Sequence, residues 1–377
     1  MKTINARSTK KDTKDAVSEV SAALKSANNI KAVIFFACSE YDNSVSALMQ
    51  AEFPDITVFG CTSTSEILNG EYATHSLVAT ALTDELIDDV KVVALTNVEI
   101  GKLDIDDEIA ELEEYYGTAF RNLDKEKYVG VVICCYNLKK IDEVGIYDEI
   151  GDRTSCLFAG ATASSVGFDF DKIRVFANGQ EYKDAAICAL IKCKAPFAFE
   201  KMQAVERLNI PVPITKMGST PGNVIEIDGI NAADYFGKIY GLPREEIIKM
   251  DINIVMEYSM GIMINDEPYM HATETFLPDG SLQLNPPTWP SGKTELFIAK
   301  DLISTTKEQM AKIIEKHKSI SFMITFDCAY RYMDAEANNK LDEYGGIWKD
   351  IPMMGLCTYG EYFICKVSQT TGILLFE

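Results

Sequence analysis

Two short stretches set small, hydrogen-bonding residues after a glycine and close on a glutamate six positions later: Gly60-Cys-Thr-Ser-Thr-Ser-Glu66 and Gly355-Leu-Cys-Thr-Tyr-Gly-Glu361. Small residues let backbone N–H groups approach a ligand, while threonine hydroxyls and a carboxylate hold an amine or a hydroxyl. Gly60, Cys61, Thr62 and Glu66, with Thr358, Tyr359, Gly360 and Glu361, therefore suit a small polar molecule such as an amino acid. Arg331, in Cys328-Ala-Tyr-Arg331, adds a guanidinium able to clamp a carboxylate at two points. The competing reading is local. Glycine permits a sharp strand exit, Ser and Thr hydroxyls cap nearby backbone, and a surface arginine pairs with an acid.

Covalent catalysis would need Cys61, Cys328 or Cys357 activated by a histidine, and the chain has only His75, His271 and His317. None stands in a local catalytic signature, and His317 in Glu315-Lys-His-Lys318 reads as a solvent-facing helix end. Cysteines inside apolar strands are usually core, so no catalytic residue is assigned and a non-catalytic protein is favoured. There is no CxxC, no HExxH and no run with zinc-ligand spacing, so no metal is expected. Gly218-Ser-Thr-Pro-Gly222 lacks the lysine of a phosphate loop and reads as a linker turn. Pro286, Pro287, Trp289 and Pro290 fit a loop over a pocket or an exposed connection.

The elements behind these residues repeat. Lys31–Cys38, Tyr128–Cys135 and Ser321–Cys328 are apolar throughout, as strands buried on both faces are. Each is followed by a helical stretch and a second strand ending at Gly60, Gly160 or Gly355, with cysteine-to-glycine separations of 22, 25 and 27 residues. Such a unit predicts two parallel strands whose C-terminal ends share one sheet edge, where ligands of α/β sheets gather. Two further strands close each copy, at Ser76–Leu82 and Val90–Leu95 in the first, expected to pair with each other. The fold class is α/β with mixed sheets flanked by helices. The breaker-rich 211–222 is the expected linker, dividing a lead-in over 1–28 and a duplicated domain over 29–210 from a second domain over 223–377. A helix beginning near Asn231 and a strand over Ile252–Glu257 belong to the second.

The 377 residues carry 57 acidic against 36 basic side chains, a net charge of -21, which repels nucleic acid and anionic membranes. The ten cysteines lack the spacing of a small secreted framework, and no apolar run approaches the ~20 residues of a membrane helix. A cytoplasmic protein with reduced thiols and no membrane insertion is expected.

At these residues the chain resembles the FIST family, in which a FIST N domain is paired with a FIST C domain. The resemblance rests on Phe59-Gly-Cys-Thr-Ser-Thr-Ser-Glu-Ile67, Val224-Ile-Glu-Ile-Asp-Gly-Ile-Asn-Ala-Ala-Asp-Tyr-Phe236, Phe326-Asp-Cys-Ala-Tyr-Arg331 and Met354-Gly-Leu-Cys-Thr-Tyr-Gly-Glu361, and covers roughly 29–370. It implies a sensory module of signal transduction that binds small ligands such as amino acids, with haem also associated with the family. No output domain follows residue 370 in this sequence, so signalling through a partner protein is expected. Ser65 stands where the family often has glycine before the glutamate.

Overall fold

The computed structural model describes residues 2–137, 139–250, 257–286, 293–317, 319–363 and 365–377. A first module runs through β1 (Thr3–Ser8), α1 (Thr13–Leu24), β2 (Ile30–Cys38), α2 (Val45–Glu52), β3 (Thr57–Ser63), the hairpin of β4 (Glu66–Leu68) and β5 (Glu71–Ala73), and β6 (Leu77–Thr83). The second repeats the order with β7 (Ile87–Leu95), α3 (Asp106–Tyr116), β8 (Tyr128–Cys134), α4 (Glu143–Gly151), β9 (Phe158–Thr162), the hairpin of β10 (Val175–Ala177) and β11 (Gln180–Tyr182), and β12 (Ala186–Cys193).

The third module opens with β13 (Phe197–Gln203) and is then interrupted. The insertion comprises β14 (Val205–Pro211), β15 (Ile214–Met217), β16 (Asn223–Ile227), β17 (Ile230–Asn231), α5 (Ala232–Tyr240), α6 (Arg244–Ile247), β18 (Tyr258–Ile264), β19 (Glu267–Phe276), β20 (Leu282–Asn285) and β21 (Glu295–Ala299). The module resumes with α7 (Leu302–Lys316), β22 (Phe322–Cys328), α8 (Ala329–Ala337), α9 (Leu341–Gly345) and β23 (Met353–Thr358). It ends with the hairpin of β24 (Glu361–Phe363) and β25 (Cys365–Val367), then β26 (Thr370–Phe376).

Three six-stranded mixed sheets share one strand order: β1-β6-β2-β3-β10-β11, β7-β12-β8-β9-β24-β25 and β13-β26-β22-β23-β4-β5. The pairs β2/β3, β8/β9 and β22/β23 are parallel, as the helical crossovers require, and their outer neighbours are antiparallel. The last two strands of every sheet come from another module. The second module lends its hairpin to the first, the third to the second, and the first to the third, which closes a ring of exchanges. The inserted strands form a separate antiparallel sheet, β14-β21-β18-β19-β20-β16-β15 with β17 beside β16.

Alternation along β2 shows why its sequence is apolar throughout. Val33, Phe35 and Ala37 pack outward on Val17 and Val20 of α1 and Met49 of α2. Ala32, Ile34 and Phe36 point the other way, into a central core shared with Val131 and Ile133 of β8 and Phe326 of β22. Each fully buried phenylalanine contributes on the order of 1.5–3 kcal/mol, and both faces need one.

Two expectations change. β6 and β7 do not pair with each other: β6 lies between β1 and β2, and β7 on the edge beside β12. The expected linker over 211–222 contains β15, hydrogen-bonded to β16. The predicted helix near Asn231 is α5, with Asn231 Oδ1 accepting the Ala233 N–H at 3.1 Å. The strand predicted over Ile252–Glu257 falls almost wholly outside the described residues, as do Pro287, Trp289 and Pro290.

Candidate ligand-binding site

The three turn glycines have one structural cause. Gly60 faces Phe35, Gly160 faces Val132 and Gly355 faces Thr325 across the parallel pairs. A Cβ there would sit 1.7 Å from Phe35 O, 1.9 Å from Val132 O or 2.0 Å from Thr325 Oγ1, so only glycine allows the close approach. Cys61 is buried in the central core. Thr62 hydrogen-bonds through its hydroxyl and N–H to Arg174 backbone, fastening β3 to the approach to β10.

Glu66 opens β4 with both carboxylate oxygens engaged: Oε1 accepts from Ser63 Oγ at 2.6 Å, and Oε2 from Ser76 Oγ at 2.7 Å and Ser76 N at 3.1 Å. Glu361, in the matching position on β24, accepts from Thr370 Oγ1 at 2.5 Å and Thr370 N at 3.3 Å, and its Oε1 has no partner. Burial pushes each carboxyl up to about 8. They join hairpins to the strands that follow, and neither lines the cavities described below.

Of the predicted site residues, Thr358 and Tyr359 line a cavity of about 280 Å³. It sits at the C-terminal edges of the second and third modules, covered by the inserted β19 and β20. Tyr136, Phe168, Phe170, Tyr330 and Tyr359 wall it with rings, Phe168 stacking on Tyr359 at 5.3 Å between centroids. Glu274 accepts from Tyr136 OH at 3.0 Å through Oε1, while its buried Oε2 has no partner. Asn285, 5% exposed, donates Nδ2 to Tyr359 O at 3.1 Å, and its Oδ1 is likewise unpartnered. Burial raises the Glu274 carboxyl. The cavity thus presents two free acceptors inside an aromatic enclosure. Gly360 stands behind Tyr359, its N–H bonded to Thr358 Oγ1 at 3.0 Å.

Arg331 lies elsewhere. It is 4% exposed, with Nε 3.0 Å from Tyr344 OH, Nη2 2.7 Å from Thr306 Oγ1, and Asp327 Oδ1 3.4 Å away. Its Nη1 has no partner, and the residue lines a second cavity of about 230 Å³, of which Tyr330 is also a wall. The predicted set is therefore divided: Thr358 and Tyr359 in the first cavity, Arg331 in the second, and Gly60, Cys61, Thr62, Glu66, Gly360 and Glu361 lining neither.

A model of the FIST N domain matches residues 31–230, more than half of the chain. The chain belongs to the FIST family. The FIST match spans the first two modules from β2 onward, β13 and the start of the insertion. No curated protein matches the sequence. Among solved structures, T. maritima PurL complexed with FGAR is similar at 8% identity over 99% of this chain and 72% of that one, with a TM-score of 0.21, which carries no argument about fold or function.

The histidines and cysteines of this FIST chain show no nucleophile pair in the cavity. Cys328 is the one lining cysteine and no histidine lines it among the described residues. Burial pushes the Cys61, Cys328 and Cys357 thiols well above their ordinary value, opposite to the shift that activates a nucleophile. His317 is buried rather than solvent-facing, between Glu200 Oε1 at 2.7 Å and Glu377 Oε1 at 2.8 Å. His271 on β19 is buried, which lowers it to about 4. For the haem associated with the family, this cavity has no histidine among its described lining residues, and at about 280 Å³ it is small beside ordinary ligand sites of about 300–1,000 Å³. The residues that sequence reasoning missed are Tyr136, Phe168, Phe170, Glu274, Asn285 and Tyr330. Only Tyr330 stood in a recognised motif, beside Arg331.

Proposed function

We propose that this FIST chain is a non-catalytic sensor whose ligand is a small molecule bearing an amine, amino acids included, held in the aromatic cavity between the second module, the third module and the inserted sheet. The family is a sensory one. The observation that carries the finer reading is the pair of unpartnered acceptors, Glu274 Oε2 and Asn285 Oδ1, among aromatic rings. A buried acceptor without a donor costs about 1–3 kcal/mol, and an ammonium group supplies donors and charge together. Ring faces add cation–π attraction of about 0.5–2 kcal/mol. Arg331 lines the second cavity and takes no part in this reading. Modules two and three meet at this site, so occupancy is felt by both, and the signal passes to a partner protein.

The test is thermal denaturation of the full chain with amino acids, aromatic and aliphatic amines, and organic acids. An amine at a hundred times its Kd adds about 2.7 kcal/mol to stability and raises Tm, whereas acids lacking an amine do not. Glu274→Gln keeps the Tyr136 contact and removes most of the shift. Stabilisation by acids alone, or an undiminished shift in Glu274→Gln, overturns the reading.

A further inference from the structure

At the C-terminal end of β2, the fold brings His75 to two side chains, Cys38 and Glu40, that lie far from it in sequence. Cys38 ends β2, Glu40 follows in the turn, and His75 stands just before β6. Antiparallel pairing of β2 with β6 sets Ala37 opposite Leu77, and Cys38 N donates to Ser76 O at 2.9 Å, which returns His75 to Cys38. One donor atom from each of Cys38, Glu40 and His75 lies within 4.8 Å of the other two. His75 Nδ1 is 3.2 Å from Glu40 Oε2, close to the roughly 3.4 Å between adjacent nitrogen and oxygen ligands on a tetrahedral shell with bonds of about 2.1 Å. His75 Nε2 is buried and has no partner, so the ring has a second nitrogen to offer.

We propose that Cys38, Glu40 and His75 form a binding site for a zinc-class divalent cation, with one thiolate, one carboxylate, one imidazole and a fourth position left for water. A soft sulfur beside an imidazole favours zinc over magnesium or calcium, which take oxygen shells. The matching positions in the other modules do other work. Beside Cys135, Asp184 is held by Asn137 Nδ2 and Lys140 Nζ, both at 2.7 Å; beside Cys328, Gln369 donates its N–H to the sulfur at 3.2 Å. Access is from solvent: the Glu40 side chain is 50% exposed and that of His75 28%, while Cys38 forms the floor. On binding, the Cys38 S–H bond breaks, its proton leaves to water, and a sulfur–metal bond replaces it. The next residue, Ser76, donates twice to Glu66, so the cation would brace the β2–β6 edge directly beside that interior carboxyl.

The full chain, stripped with a chelator, is titrated with cobalt and then zinc, followed by absorption and by competition against a chromophoric chelator. One cobalt per chain is expected, with a sulfur-to-cobalt charge-transfer band that zinc abolishes. Cys38→Ser removes the band, while His75→Ala and Glu40→Gln, made at partly exposed positions, keep the native circular dichroism and bind zinc roughly tenfold or more weakly. A band that persists in Cys38→Ser places the metal on one of the other nine cysteines and overturns the site. Wild-type zinc affinity in His75→Ala overturns it equally.

Discussion

Glu66 and Glu361 are each the first residue of a hairpin and each is buried against hydroxyl donors. Both titrate near 8 in the folded chain, against an ordinary 4.5. Between about pH 4.5 and 8 the folded state therefore holds more protons than the unfolded one. Stability is fully present below that window and falls as pH rises through it, by up to about 1.4 kcal/mol per pH unit for each group. Glu66→Gln with Glu361→Gln removes this term: its urea-unfolding free energy, relative to wild type, should improve from about pH 5 to about pH 8. A pH-independent difference would contradict the assignment. The types of these residues were legible in the sequence, but their direction was not. The same Gly-Thr-Glu pattern serves a ligand or an interior staple, and only Thr358 and Tyr359 reached the cavity. Glu274 and Asn285 come from an insertion with no local motif, and their importance lies in hydrogen bonds they fail to make.

At the level of elements, α4 is fastened to β25 by a buried ion pair. Lys366 Nζ stands 2.5 Å from Glu143 Oε2, which also accepts from Thr162 Oγ1 at 2.7 Å and Tyr362 OH at 2.9 Å. Removing one partner strands the other charge, so Lys366→Met is expected to cost about 3–5 kcal/mol in denaturant unfolding. Glu143→Leu with Lys366→Met should recover most of it, because two apolar side chains carry no desolvation penalty. A loss under about 1 kcal/mol in the single variant would show that water reaches the pair. The parallel strand pairs behind this arrangement could be read from uninterrupted apolar runs. The hairpins could not: three-residue strands carry little pattern, and β4 finds its partner far along the chain, Leu68 opposite Met354.

For the whole molecule, the exchange of hairpins means that no module owns a complete sheet. A fragment ending at 210 keeps β4 and β5 but lacks β23, the strand they pair with, and leaves β9 without β24. It should be poorly folded alone by circular dichroism and size exclusion, and recover native structure when co-expressed with 211–377. A well-folded, monomeric 1–210 fragment would contradict this. No helix among the described residues is long and apolar enough to cross a membrane.

A chain of one module would own a hairpin with nowhere to dock and a strand edge with nothing to cover it, and three copies passing hairpins around a threefold axis satisfy all of them at once. Within this one chain the three modules stand to one another as the subunits of a hairpin-exchanged trimer would. Because the modules are covalently joined, nothing requires them to be alike: the third carries an eight-stranded insertion, and the edges differ, one lining a cavity and another gathering Cys38, Glu40 and His75.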